Sequence, residues 1–210
     1  MKIRGVQADF PDSLVDPVTG LKPRTEREVT ALLWLRHQDQ AVDWKRVRLY
    51  RYDLKDSGLR ADAIFTPGST LCYEYPLMST NRHGGRVWGA MPADLLLLSR
   101  SRRPLAAIEC KLAPHFTSGG TRRRTGQLAR LARYLERALE RVPGEMSTLL
   151  LVCPRCNCDR WQESPYAIAL KNAIPLRKQG SSRVNGYLIF WEDIADALNA
   201  AELKVRRQRG

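Results

Sequence analysis

The sequence predicts an α/β domain with a central mixed sheet flanked by helices, and three observations predict it. Helical and extended patterns alternate along the chain instead of segregating by type. Residues 94–111 hold two apolar runs, DLLLLS and LAAIECK, joined by the basic turn RSRRP, which reads as a strand hairpin. Directly after it, TRRRTGQLARLARYLERALERV carries Leu128, Leu131, Leu135, Leu139 and Val142 three or four apart, the spacing of an amphipathic helix.

The other elements follow in order. TEREVTALLWLRHQ opens with Thr25 followed three positions later by Glu28, a capping box, and places Val29, Leu32, Leu33 and Leu35 behind it. KRVRLYRYDL alternates apolar and basic residues as a half-exposed strand does, and RADAIFTPG reads as a short strand ended by Pro67-Gly68. Residues 76–92, with their Asn-Arg-His-Gly-Gly cluster, read as a loop. After the hairpin and its helix, which Pro143-Gly144 stops, STLLLVCP is a strand apolar without alternation, as expected when both faces are covered. SPYAIALKNAI reads as a helix, GYLIFW as a strand and EDIADALNAAEL as a closing helix. The expected organisation is an N-terminal segment (1–23), a core (24–154), an extension packed on the same domain (155–203) and a basic tail (204–210).

Composition narrows the partners. Thirty-five Lys and Arg against 22 Asp and Glu leave a net charge of +13, which favours a polyanion, nucleic acid first. The apolar runs are too short to span a bilayer, and the opening MKIRGVQADFPD has no signal-peptide core. Five irregularly spaced cysteines do not form a secreted disulfide framework, so the expectation is a cytoplasmic protein with no membrane partner. Cys153, Cys156 and Cys158 in CPRCNC offer three thiols to zinc, but only one such knuckle exists and the pattern stays open.

The hairpin raises a chemical question, because it carries Asp94 at its entrance and Glu109 and Lys111 at its exit. Burying three charged groups unpaired costs several kcal/mol each, roughly, so they sit either at a solvated rim or face one another in a site. Strand alternation puts Glu109 and Lys111 on one face, pointing outward, while Ile108 and Cys110 pack on a helix. Two facing carboxylates repel, and a divalent oxygen-seeking cation relieves that repulsion. A lysine beside the cation orients water and offsets charge on a phosphate, which suits phosphodiester hydrolysis.

PAD at 92–94 followed by ECK at 109–111 across a hairpin resembles the PD-(D/E)xK nuclease superfamily, with its restriction-endonuclease-like core of helix, three strands, helix and strand. The resemblance covers residues 24–154; Ala93 separates the Pro from the Asp, where the family's short form has them adjacent. It implies a magnesium-dependent endonuclease acting on DNA, with Mn2+ able to substitute, in restriction, recombination, transposition or phage defence. It further implies that Asp94, Glu109 and the Cys110 carbonyl hold the metal, joined by Glu26 from the first helix in preference to Glu28. Lys111 would serve the attacking water, with Gln127 of the second helix near the site.

The second helix supports a nucleic-acid substrate. Between Thr121 and Arg141 stand seven Arg and two Glu. Arg122, Arg123 and Arg124 cluster at its start for phosphate contact, Arg130, Arg133 and Arg137 project away from the leucine stripe, and Arg82 and Arg86 flank a Gly-rich loop. A homodimer suits cutting both strands of a duplex. The alternative is a catalytically silent nucleic-acid-binding subunit of a larger complex on the same fold.

Overall fold

The computed structural model describes residues 25–52, 55–80, 86–88, 92–112, 126–140, 142, 144–155, 165–174 and 182–198, with backbone alone at 78–80 and 86–88. Helix α1 (Glu26–Gln38) begins at the capping box: Thr25 accepts from the Glu28 N–H, and the Glu28 carboxylate accepts from the Thr25 N–H. Its Val29, Leu32 and Leu33 are buried, whereas Leu35 is half exposed. The strands are β1 (Arg48–Tyr50), β2 (Asp56–Arg60), β3 (Thr70–Tyr75), β4 (Met78–Thr80), β5 (Arg86–Trp88), β6 (Ala93–Leu98), β7 (Pro104–Cys110), β8 (Ser147–Cys153) and β9 (Val184–Phe190). Helix α2 (Gln127–Leu139) joins β7 to β8, α3 (Pro165–Ala173) joins β8 to β9, and residues 191–198 form a last helix, α4.

Seven strands make one sheet in the order β2-β1-β9-β8-β7-β6-β3. The central β7, β8 and β9 are parallel and the flanking pairs antiparallel. Strand order advances in one direction from β7 to β9, so right-handed crossovers leave α2 and α3 on one face of the sheet. Leu128, Leu131 and Leu135 of α2 and Tyr166 and Leu170 of α3 pack there against Leu96, Ala107, Leu149, Leu151 and Leu188. The opposite face is covered by α1 and α4, packed on Leu95, Leu97, Ile108, Cys110, Leu150 and Ile189. β8 is buried along its whole length, as its unbroken apolar run requires. Gly186 lets α3 approach β9, because a Cβ there would collide with Ile174 and crowd Leu170.

Three expectations are corrected. Residues 61–63 form a 3-10 turn, not a strand: Ala61 donates to Val47, and Ile64 and Phe65 donate back to Ala61. Ala and Asp are poor strand formers, so nothing local resists that turn. The stretch read as a loop at 76–92 contains the β4–β5 hairpin, paired from Met78↔Trp88 to Thr80↔Arg86. Strands of three residues are too short to display a period of two. Strands β2 and β3 were also not anticipated, and β3 lies next to the β6–β7 hairpin. The basic helix is described only from Gln127, with Gly126 as its N-cap; Arg122, Arg123 and Arg124 lie outside the described residues. No helix among the described residues is long and apolar enough to cross a membrane.

Candidate active site

The parallel strands end along one edge of the sheet, where open α/β sheets hold their ligands. At the end of β7 the hairpin register, which pairs Leu95 with Ile108, sets Asp94 opposite Glu109 on the neighbouring strand. Asp94 Oδ2 accepts the Cys110 N–H at 2.8 Å, which fixes its carboxylate beside the strand end. Glu109 follows Ala107 onto the α2 side of the sheet and is fully buried, contrary to the outward orientation expected for it.

Lys111 stands just past β7, and its backbone is held on both sides. Its N–H donates to Val152 of β8 at 2.8 Å, and its carbonyl accepts the indole N–H of Trp191 at 2.9 Å. Its ammonium, almost fully buried, lies 2.7 Å from Glu109 Oε1 and 3.0 Å from Glu26 Oε2. Glu26 reaches this point from the first turn of α1, and its Oε1 also accepts the Leu112 N–H at 3.4 Å. Glu26 therefore lies beside Lys111, whereas Glu28 is engaged in the cap at Thr25.

Electrostatics follow from the burial. Loss of water pushes the Glu109 carboxyl up to about 8, and the Asp94 charge adds to the shift while Lys111 opposes it. Burial also raises Asp94, with the Cys110 N–H and Lys111 opposing. Burial alone would lower Lys111, but the Glu109 and Glu26 carboxylates outweigh it and hold the ammonium charged. Glu109 Oε2 is buried and accepts no hydrogen bond among the described residues. An orphaned carboxylate oxygen facing a second carboxylate fits a hard, oxygen-seeking cation, and the donor set is all oxygen apart from Lys111. Asp94 and Glu109 would hold such an ion. Glu26 is turned to Lys111, and among the described residues no three His, Cys, Asp or Glu side chains converge into a ready cation cage.

Gln127 opens α2 half-buried, and no hydrogen bond among the described residues ties it to the carboxylates. Arg130, Arg133 and Arg137 are exposed on the helix face away from the sheet. For Arg86 only the backbone is described, and Arg82, Cys156 and Cys158 lie outside the described residues. Cys110 Sγ is buried within the α1-side core, and Cys153 is buried on the α2 side.

One neighbour of the site had no expectation attached to it. Glu74 of β3 sits between the pairs Tyr73↔Leu95 and Tyr75↔Ala93, and so beside Asp94. Its φ of 45° is unusual for a residue with a side chain, and the kink sends Tyr73 to the α1-side core and Tyr75 to the α2-side core. Its carboxylate is gripped by Arg27, with Nε 2.9 Å from Oε1 and Nη2 3.0 Å from Oε2. Such a backbone is strained, and an ion pair so open to water contributes too little to offset the kink. A glutamate between two tyrosines, TLCYEY, is the only trace of it in the sequence.

Compared with known proteins, the chain matches no family model, no curated protein and no solved structure.

Proposed function

We propose that the protein is a divalent-metal-dependent nuclease of the PD-(D/E)xK type that hydrolyses phosphodiester bonds of DNA. The observation that carries this reading is the meeting of Asp94, Glu109 and Lys111 at the end of β7, with Glu109 buried and one of its oxygens unpartnered among the described residues. The order helix, three strands, helix, strand formed by α1, β3, β6, β7, α2 and β8 supports it, as does the net charge of +13.

Asp94 and Glu109 would hold a magnesium or manganese ion, which supplies Lewis acidity toward the phosphate and toward water. Lys111 stays charged, so it acts as a hydrogen-bond donor and not as a proton acceptor. Its backbone is fixed by bonds to β8 and to Trp191 and its ammonium is held by Glu109 and Glu26, where it can orient the attacking water and offset charge growing on the phosphate. Water oxygen bonds to phosphorus as the bond to the 3′ oxygen breaks. The water's proton passes to solvent, the 3′ oxygen takes up a proton from solvent as it leaves to become a hydroxyl, and the product carries a 5′-phosphate. The exposed Arg130, Arg133 and Arg137 supply phosphate contacts along α2.

The deciding experiment is cleavage of supercoiled plasmid and of a branched DNA, with Mg2+ or Mn2+, by wild type and Lys111→Ala. Metal-dependent nicking that falls at least about a hundredfold in the variant, with DNA binding retained, supports the reading. Absence of cleavage by the wild type, with salt-sensitive DNA binding intact, overturns it in favour of a binding subunit.

A further inference from the structure

Among the described residues four carboxylates surround the end of β7, and two side-chain cations are shared among them. Lys111 takes Glu109 and Glu26, Arg27 takes Glu74, and Asp94 receives only the Cys110 N–H among the described residues. With all six groups ionised these described residues carry two negative charges in excess, inside a chain of net charge +13. The kink at Glu74 is not explained by the exposed pair it makes with Arg27, and the register sets this residue opposite Asp94 on the neighbouring strand. The buried, unpartnered Glu109 oxygen points independently to a cation at the same place.

We infer that Glu74 is a further ligand-bearing carboxylate of this site and that Arg27 is the competitor that holds it at the rim while no divalent cation is bound. A cation drawn between Asp94 and Glu109 attracts Glu74 across the short gap between β3 and β6, and the guanidinium lets go. Arg27 is three-quarters exposed and follows directly on Glu26, so its release into solvent disturbs neither α1 nor Lys111. Released, it stands at the mouth of the site with its planar fork of donors free for a phosphate. The inference rests on the reading of Asp94 and Glu109 as cation ligands and adds to it a residue and a direction of competition.

The test is Mn2+ binding to the full chain without DNA, followed by the loss of free-ion paramagnetic resonance and by calorimetry. The proteins are wild type, Asp94→Asn, Glu74→Gln, Arg27→Gln and the Glu74→Gln/Arg27→Gln double variant. Glu74→Gln should weaken binding about tenfold, the low end for groups that support a metal site. Arg27→Gln should tighten it several-fold, because the competitor is gone, and should have no effect once Glu74 is already changed. If Glu74 takes no part in the site, removing the Arg27 charge acts through space alone and shifts binding equally with and without Glu74, and that result, or no change, overturns the inference. Should Glu74→Gln fail to fold, Glu74→Asp with and without Arg27→Gln supplies the same cycle. If Asp94→Asn binds Mn2+ like the wild type, the cation-site reading itself fails. If Asp94→Asn abolishes binding while Glu74 and Arg27 prove silent, the cation site stands and only the role of Glu74 in it fails.

Discussion

Two charged corners lie along the same edge of the sheet, and they are built differently. At the end of β8, Arg155 donates its backbone N–H to both oxygens of Glu192, at 3.0 and 2.9 Å, and its guanidinium to Asp193 Oδ1 at 3.0 Å. The guanidinium also lies over the rings of Phe190 and Tyr50, 4.5 and 5.5 Å from their centres, and remains partly in water. At the end of β7, by contrast, Glu109 has no exposed surface and Lys111 almost none. The first corner ties β8, β9 and β1 together around a partly solvated guanidinium, although Asp193 Oδ2 is buried there without a hydrogen bond among the described residues. The second brings Asp94 and Glu109 together with little access to water, and Lys111 pairs with Glu109 and Glu26 but not with Asp94. A fold that needed only a staple would use the first arrangement; the second suits the proposed cation site.

The comparison breaks most visibly at Lys111. Removing one partner of a buried pair leaves the other uncompensated, and Lys111→Met should cost about 3 kcal/mol at pH 8.5. At pH 6 the cost should be smaller, because Glu109 then holds a proton and needs the ammonium less. Urea unfolding at the two pH values measures both numbers. Equal losses would mean that Glu109 is ionised throughout. Next in size, and of opposite sign, is Glu109→Gln. The folded state holds the Glu109 proton up to about pH 8, whereas the unfolded chain releases it near 4.5. The native protein therefore binds more protons than the unfolded one in that window, and its stability falls as pH rises through it. Asp94, also raised by burial, adds in the same direction. Glu109→Gln should remove most of the slope and be the more stable protein by roughly 2 kcal/mol at pH 8.5. Thermal melts between pH 5.5 and 8.5 would show it, and a wild type whose melting temperature does not fall across that range would contradict it.

What the sequence disclosed and what it concealed divide along the same physical line. The β6–β7 hairpin, α2 and β8 were legible because long apolar periodicities outlast local noise, and the capping box at Thr25 because two residue types at fixed spacing satisfy two N–H groups. Asp94 and Glu109 could be placed face to face because a tight hairpin fixes register. That Glu109 is buried was not legible, since alternation gives a side chain its face but not what covers it. Strand β2, exposed and polar, carries almost no periodic signal, and the three-residue strands β4 and β5 carry none. Glu74 and Arg27 stayed hidden because their contact spans 47 positions and depends on a backbone kink that no residue type announces. Arg155 is likewise set by tertiary contacts to Glu192 and Asp193, far along the chain.

The staple corner should respond quietly. Arg155→Met gives up one partly exposed charge-assisted contact and the ring contacts, about 1–2 kcal/mol, and the loss should vary little between pH 6 and 8.5. A strong pH dependence there would erase the contrast between the corners. The smallest effect sharpens it instead. Thr25→Ala removes half of the capping box and should cost about 1 kcal/mol. Its interest is where the loss is felt. Glu26, next in the chain, is the residue that ties α1 to Lys111 and to the Leu112 N–H. Fraying of the first turn therefore loosens one of the two carboxylates on the ammonium, and amide exchange should quicken at Leu112 while the Arg155 N–H, anchored on Glu192, keeps its protection. Quickening at both amides would mean that the edge opens as one unit, and the two corners would then differ in burial without differing in independence.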